Sequence, residues 1–428
     1  MSGSAIWRTL SQSKLYWGLI AIFVFGAAFS PATSSGRNIF LSYGNLTDVL
    51  RQVSITGLVA VGMTMVILIG GIDLSVGSIM GLGSVFAGLL LTQGGWTSAS
   101  TTGIPIAALV GAALVFVTLR FVIKQTSAPA PLAKWAPAAA GLLAAAALIV
   151  WTTRQVDPKF GVLATLLVAS SVGLTLGLLN GLVIVLGRLQ PFIVTLAAMV
   201  SVQGLARLTA GQDSAVLPIY PGSNSTASID AVRSMIYGVL PAPSLFFIAA
   251  VILSWILLRF SVFGRYVYAI GGNEEAARLS GIPVDRVKIA TFAISGFLAG
   301  LAGVLYAAQY RQGKPDAGSG LELDAIAAVV IGGTSLMGGR GGVVGSLIGV
   351  LIFGCLSDIL QLHNIDSNLQ LVLKGLIIVG TVLLQERNLP GYGQMLAFVQ
   401  QPFRTRETKG GRIAPVETAK VEVPNEAS

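Results

Sequence analysis

Apolar stretches close to twenty residues long recur along this chain from Leu15 to about residue 385. A helix needs about 20 such residues to cross the hydrocarbon core of a bilayer. Within that core every backbone N–H and C=O must find a partner inside the protein, so spanning segments are helices or closed barrels. Runs of this length select helices. Charged residues make up only 11% of the chain against 54% hydrophobic, where a soluble domain carries about 25% charged. That supply cannot cover a water-facing surface, and the expected fold is an all-α, polytopic transmembrane helix bundle of about 10–12 spans.

Twelve segments approach the required length, near 15–30, 51–70, 76–92, 103–122, 133–151, 160–186, 190–207, 243–259, 289–307, 322–338, 343–360 and 367–385. The first keeps its place as a retained helix, since Arg8 and Lys14 precede it and further spans follow. The 103–151 pair is Ala-rich, joined by the Pro-rich KQTSAPAPLAK, and reads as an inserted helical hairpin. Orientation follows from short basic loops, which mark the cytoplasmic side. Arg8 and Lys14, the 259–288 loop with Arg259, Arg265, Arg278, Arg286 and Lys288, and the tail with Arg404, Arg406, Lys409 and Arg412 then fall on one side. The expected layout is a cytoplasmic N-terminus over 1–14, a membrane domain over 15–387 and a disordered cytoplasmic tail over 388–428. Both termini are cytoplasmic, and the polar 208–242 loop faces outside.

The net charge of +9 does not imply nucleic acid, because the basic residues sit at helix ends and in the tail and form no basic face. Cys355 is the sole cysteine and His363 the sole histidine, so neither a disulfide framework nor a metal site is expected. A GxxxxGK[ST] phosphate loop is absent, as is any catalytic constellation, and no enzyme activity is expected.

Glycine numbers 52 and falls in ladders: Gly173, Gly177 and Gly181; Gly296 and Gly300; Gly341, Gly345 and Gly349. Spacing of four places such residues on one helix face, where they let backbones approach closely in lipid. Gly70-Gly71-Ile72-Asp73 interrupts an apolar run of about forty residues, long enough for two spans. A carboxylate inside a membrane is costly and faces a cavity or a partner. Asp73 either lines a path or caps the following helix. Gly332-Gly333-Thr334-Ser335 forms a second break, with hydroxyls in place of the carboxylate, and IGGIDL (69–74) against IGGTSL (331–336) suggests a weak internal repeat. Asn180, Gln203 and Gln309 either bond a neighbouring helix or touch solute.

The most informative local pattern is GGNEEAARLSGIPVDRV, Gly271–Val287. Asn273 is a good N-cap, Glu274 and Glu275 suit a helix N-terminus, and Gly281 with Pro283 stops the helix. The segment is a helix of about two turns outside the bilayer, either a plain connector or a docking knob for a cytoplasmic protein.

Glu275-Ala276-Ala277 followed by Gly281 resembles the coupling loop of ABC importer permeases. GGIDLSVGS (70–78), NG…PFIVTLA (180–197), GNEEAARLSGI (272–282) and VIGGTSLMGGRGGVVGSLIG (330–349) together resemble the ribose/xylose/galactoside permeases, in the family that includes branched-chain amino-acid permeases. The resemblance covers roughly residues 40–385. It implies a bacterial inner-membrane permease subunit translocating a monosaccharide or related polyol. The implied partners are a cytoplasmic ATP-binding subunit that holds ATP and Mg, a periplasmic sugar-binding protein, a second permease subunit as a homodimer, and membrane lipid. This chain itself would bind no cofactor. ATPase coupling would fall to Gly272, Asn273, Glu274, Glu275, Ala276, Ala277, Gly281 and Ile282, and the translocation path to Asp73, Asn180, Gln203, Thr334 and Ser335. The alternative is an ion-gradient-driven secondary transporter, which would need several buried carboxylates.

Overall fold

The computed structural model describes residues 14–124, 130–156, 159–211 and 215–385. The expected tail over 388–428 and the residues before Lys14 lie outside the described residues. Fifteen helices carry the rest: α1 Lys14–Phe29, α2 Tyr43–Leu68, α3 Val76–Thr92, α4 Ser98–Lys124, α5 Ala130–Thr153, α6 Val162–Gly187, α7 Pro191–Ala210, α8 Asp230–Arg233, α9 Ala242–Phe260, α10 Val262–Gly272, α11 Glu274–Leu279, α12 Val284–Tyr310, α13 Leu321–Ile331, α14 Val343–Leu362 and α15 Ser367–Gln385. Strand is limited to two-residue pairs among the described residues, β1 (Leu217–Pro218) with β4 (Gln312–Gly313) and β2 (Met235–Ile236) with β3 (Leu240–Pro241).

Eight of these helices (α2, α4, α5, α6, α7, α9, α12 and α14) are long and apolar enough to cross a membrane, and α1 and α3 are shorter apolar helices. The run near 322–338 is not a single span. Its helix, α13, ends after 11 residues at Ile331, and residues 332–342 form a non-helical connector into α14. Paired glycines are the cause, since they end a helix at little steric cost.

At the centre stands α12, packed against α6, α3 and α2. The ladders explain why. A side chain on Gly173 or Gly177 would run into the backbone of Gly296 or Phe292, and one on Gly296 into Gly173 and Gly177. Helices that carry glycine at facing positions approach backbone to backbone, gaining dispersion contacts that lipid tails cannot match. The third ladder is only partly helical: Gly345 and Gly349 sit in α14 against Gly332 and Ala328, while Gly341 precedes the helix. By contrast α4 and α5 pack on each other and touch the bundle mainly through α6. This is the pair read from sequence as a hairpin.

The two glycine breaks end their helices in the same way but one residue out of step. After α2, Gly70 N donates to Ile67 O and Gly71 N to Val66 O, with Gly70 left-handed at φ 77°. After α13, Gly333 N donates to Val330 O and Thr334 N to Val329 O, with Gly333 at φ 85°. Both are Schellman stops. In the aligned hexapeptides Gly70 falls opposite Gly332, not Gly333, so the sequence match reflects shared helix-stop chemistry and not equivalent placement. The two segments lie side by side, with Gly339 N donating to Leu68 O at 2.9 Å.

Candidate functional site: two helix breaks and a docking helix

Between α2 and α3 the chain turns back into the bundle, and Asp73 lies there with no exposed surface. Its Oδ1 accepts the Ser75 amide at 3.0 Å and the Ser75 hydroxyl at 2.6 Å. Its Oδ2 accepts the Ser295 hydroxyl of α12 at 3.0 Å. Asn180 of α6 donates to Ser75 Oγ at 2.8 Å, and Thr195 of α7 donates to Ile72 O at 3.1 Å. Ser75, the N-cap of α3, makes no side-chain capping bond; Asp73 takes its amide instead. The carboxylate therefore ties the break to α3 and α12 while α6 and α7 close around it. Asp73 thus accepts the amide of the N-cap residue itself, bracing the turn into α3 without capping a helical amide. Ser75 and Ser295 belong to the same cluster and were not singled out from sequence, although Ser75 lies within the IDLS motif.

Gln203 lies elsewhere, donating to Asp316 at 3.1 Å, an oxygen that also accepts Arg207 Nη2 at 2.9 Å and Nε at 3.2 Å. The Arg207 hydrogen bond holds the Asp316 carboxyl below the usual carboxylate range, partial burial opposing it and Gln203 assisting. A cavity of about 200 Å³ adjoins, walled by Ser78, Gln203, Ser319 and Glu322. Thr334 is fully buried and its hydroxyl has no partner among the described residues. Ser335 is half-buried in the 332–342 connector, where its amide donates to Arg340 O. The five residues read as path candidates thus divide among three places: Asp73 with Asn180, Gln203 at the small cavity, and Thr334 with Ser335 at the second break. The Oε1 of Gln309 is buried without a partner among the described residues.

The docking segment folds as its caps dictate. Asn273 accepts the Ala276 amide at 2.9 Å, Glu274–Leu279 is helical, and Gly281, left-handed at φ 81°, stops it. Glu274 turns inward: it accepts Lys288 of α12 at 2.7 Å and lies 3.5 Å from Arg278, which also pairs with Asp285 at 2.9 Å. Ala277 is buried beneath. These contacts fasten α11 to the start of α12. Glu275, Ala276 and Gly281 are exposed, Ile282 is half-buried, and Leu279 is 85% exposed. An apolar side chain left this open on a fixed helix offers a contact to a partner. Leu279 was not singled out from sequence, since one leucine in a polar loop carries no periodic signal.

This helix is also joined to both breaks. A side chain at Gly271, where α10 ends, would collide with Leu68 O and Gly339 N. The backbone preceding α11 thus rests directly on the end of α2 and on the 332–342 connector. The doubled glycines at 271–272 and 338–339 were the available sequence signal for this contact.

A bundle of apolar spanning helices, two of its breaks held inside by hydrogen bonds and gripped by the root of an external helix, is the build of a membrane transport subunit. Comparison with known proteins gives the family: the chain belongs to the branched-chain amino acid transport system / permease component family, which matches residues 45–129 and 132–382. It is similar to the ribose import permease protein of Haemophilus influenzae, 34% identical over 385 residues covering 89% of this chain and 95% of that one. The ribose import permease protein of Bacillus subtilis is 36% identical over 373 residues, 87% and 92%. The xylose transport system permease protein of Haemophilus influenzae is 34% identical over 400 residues, 88% and 96%. The likeness to sugar permeases read from the four motif blocks is borne out by these relatives, and they point to a transport role, not an enzymatic one. No solved structure matches the chain significantly.

Proposed function

We propose that this chain is the membrane-spanning permease subunit of a bacterial ABC importer that carries a monosaccharide or related polyol across the inner membrane. The names of its ribose and xylose relatives support the substrate class. The observation that carries the mechanism is the seating of α11: fastened to α12 by Glu274 and Lys288, with Gly271 just before it pressed on both helix breaks. ATP with Mg would bind a separate cytoplasmic subunit. Closure of that subunit would press on Glu275, Ala276 and Leu279, and the push would pass through Gly271–Gly272 to Leu68 and to Gly338–Gly339. Rigid helices packed backbone to backbone transmit such a displacement instead of absorbing it. A periplasmic sugar-binding protein would deliver the solute, and a second copy of the chain would complete the pore. In this reading the α11 end of the bundle and both termini are cytoplasmic.

Carriage by an ion gradient is the less favoured reading. Three described carboxylates in or between the apolar helices are engaged by protein: Asp73 by two serines, Asp324 by Lys374 at 2.8 Å and Asp358 by Asn45 at 2.8 Å.

The test is affinity purification of the tagged chain from its own membranes in mild detergent, wild type beside Glu275→Arg and Leu279→Asp. Wild type is expected to bring down an ATP-binding subunit and both variants to lose most of it, with thermal unfolding of the permease unchanged. Wild type running alone, with solute uptake in ATP-free proteoliposomes under an ion gradient, would overturn the importer.

A further inference from the structure

A cavity of about 1100 Å³ opens at the α11 end of the bundle, between the end of α9, α10 and the start of α14. Its fixed charges are two guanidinium groups, Arg259 and Arg265, and no acidic residue lines it. Neither guanidinium makes an ion pair or a hydrogen bond to a described residue. The opposite wall is the N-terminus of α14. Gly342 is its N-cap and supplies no capping side chain; the first helical bond there runs from Ser346 N to Gly342 O. The preceding amides, on Val343, Val344 and Gly345, have no intrahelical acceptor, and these three residues line the cavity. Tyr268 donates to Gly341 O at 3.0 Å, which turns that carbonyl to the tyrosine. Behind that wall the Thr334 hydroxyl, buried and without a partner among the described residues, lies against Gly341.

Two unneutralised guanidiniums sharing one cavity with an uncapped helix N-terminus supply the donor set of a phosphate site. A free phosphate would leave most of the cavity empty. The surface leading out of it is apolar: Trp255 at the rim is 45% exposed, and Ile252, Ile256, Phe260 and Val344 are exposed beside it. An aromatic amphipathic side chain between a lipid-facing helix and a basic pocket marks the headgroup level of a bilayer.

We propose that this cavity binds the phosphate headgroup of an anionic phospholipid, held by Arg259, Arg265 and the first amides of α14, with its acyl chains along α9. The lipid would bridge α9–α10 to the connector that follows α13. α10 leads directly into α11, and its end rests on that connector at Gly339, so the bound lipid would stiffen the root of the docking helix. The site stands independently of the solute carried.

The experiment is native mass spectrometry of the full chain after mild delipidation. It uses an equimolar mixture of phosphatidylglycerol and phosphatidylcholine, with thermal unfolding measured in parallel. Wild type is expected to retain phosphatidylglycerol about thirtyfold over phosphatidylcholine, as two basic groups near a membrane surface warrant. Arg259→Ala with Arg265→Ala should bring the ratio close to parity, and the double lysine variant should fall between, keeping charge but losing the bidentate fork. Both arginines are exposed, so an unchanged melting temperature in lipid-free detergent is expected to confirm folding. Equal retention of the two lipids by wild type, or an unchanged ratio in the alanine pair, would overturn the proposal. Displacement of the lipid by millimolar inorganic phosphate would make the ligand a soluble anion and overturn it too. So would an alanine pair that keeps its lipid but loses the ATP-binding subunit, which would assign the arginines to a protein contact.

Discussion

Helices α4 and α6 have the same mean hydropathy over their most apolar windows, yet 22% of the α4 window is buried inside the bundle and 56% of the α6 window. Both are long enough to span, and the apolar stretches 103–119 of α4 and 162–187 of α6 carry no charged residue. What separates them is which positions carry glycine and what those glycines face. In α6, Gly173, Gly177 and Gly181 meet the α12 backbone at Gly296, Phe292 and Ile289. In α4, Gly111 meets the tip of the Leu148 side chain, and Leu109 and Val117 stay exposed. Lipid is as apolar as leucine, so hydropathy decides that a helix enters the membrane but not which neighbour it keeps. Close approach at small residues decides the neighbour.

The comparison breaks most readily at Gly296. Gly296→Leu places a side chain into the Gly173–Gly177 backbone and should cost about 3 kcal/mol or more, the upper part of the overpacking range. Fluorescence-detected size exclusion with a heating series should show loss of monodisperse protein. Leu142→Ala in α5, at a position 72% exposed, should change stability by no more than about 0.5 kcal/mol. If the two variants melted alike, the α6–α12 contact would not be the organising one.

A smaller effect is expected at the first break. Asp73→Ala strands the Ser75 amide and the Ser75 and Ser295 hydroxyls in a buried place, at about 1–3 kcal/mol, whereas Asp73→Asn keeps acceptors for most of them. Alanine should therefore lower the melting temperature and uptake more than asparagine does. Equal loss in both variants would mean that the negative charge matters in itself, as a path-lining role requires.

The smallest effect sharpens the contrast at the surface. Asp316 is held below its ordinary pKa by Arg207, so the pair stabilises the fold above the usual carboxylate range near 4. That contribution is lost as pH falls through the depressed value. Both groups are partly exposed, 50% for Arg207 and 33% for Asp316, which limits the gain to roughly 1 kcal/mol or less. Arg207→Ala should lower the melting temperature slightly at pH 7 and not at all at a pH below the Asp316 transition.

Much of the site was legible in advance, and unevenly so. Caps act through neighbours in sequence: Asn273 and Gly281 mark α11 because each satisfies a backbone group within four residues of itself. The inward turn of Glu274 toward Lys288, fourteen residues on, was not readable, nor was the pairing of Asp73 with Ser295, more than two hundred residues away. The apparent repeat misled on equivalence because a Schellman stop needs only a glycine after a helix, and two such stops look alike wherever they sit.

The sequence by itself determined that this chain enters a bilayer as helices, where those helices break, and that a short capped helix stands outside them. Each of these depends on segment length, local hydropathy or a backbone group satisfied close at hand. Only the tertiary structure decided that α6 and not α4 lies against α12, that Asp73 holds a break closed, and that Gly271 joins α11 to Leu68 and Gly339. Those contacts bring together residues tens to hundreds of positions apart, and between apolar helices in lipid no single-segment property distinguishes one partner from another.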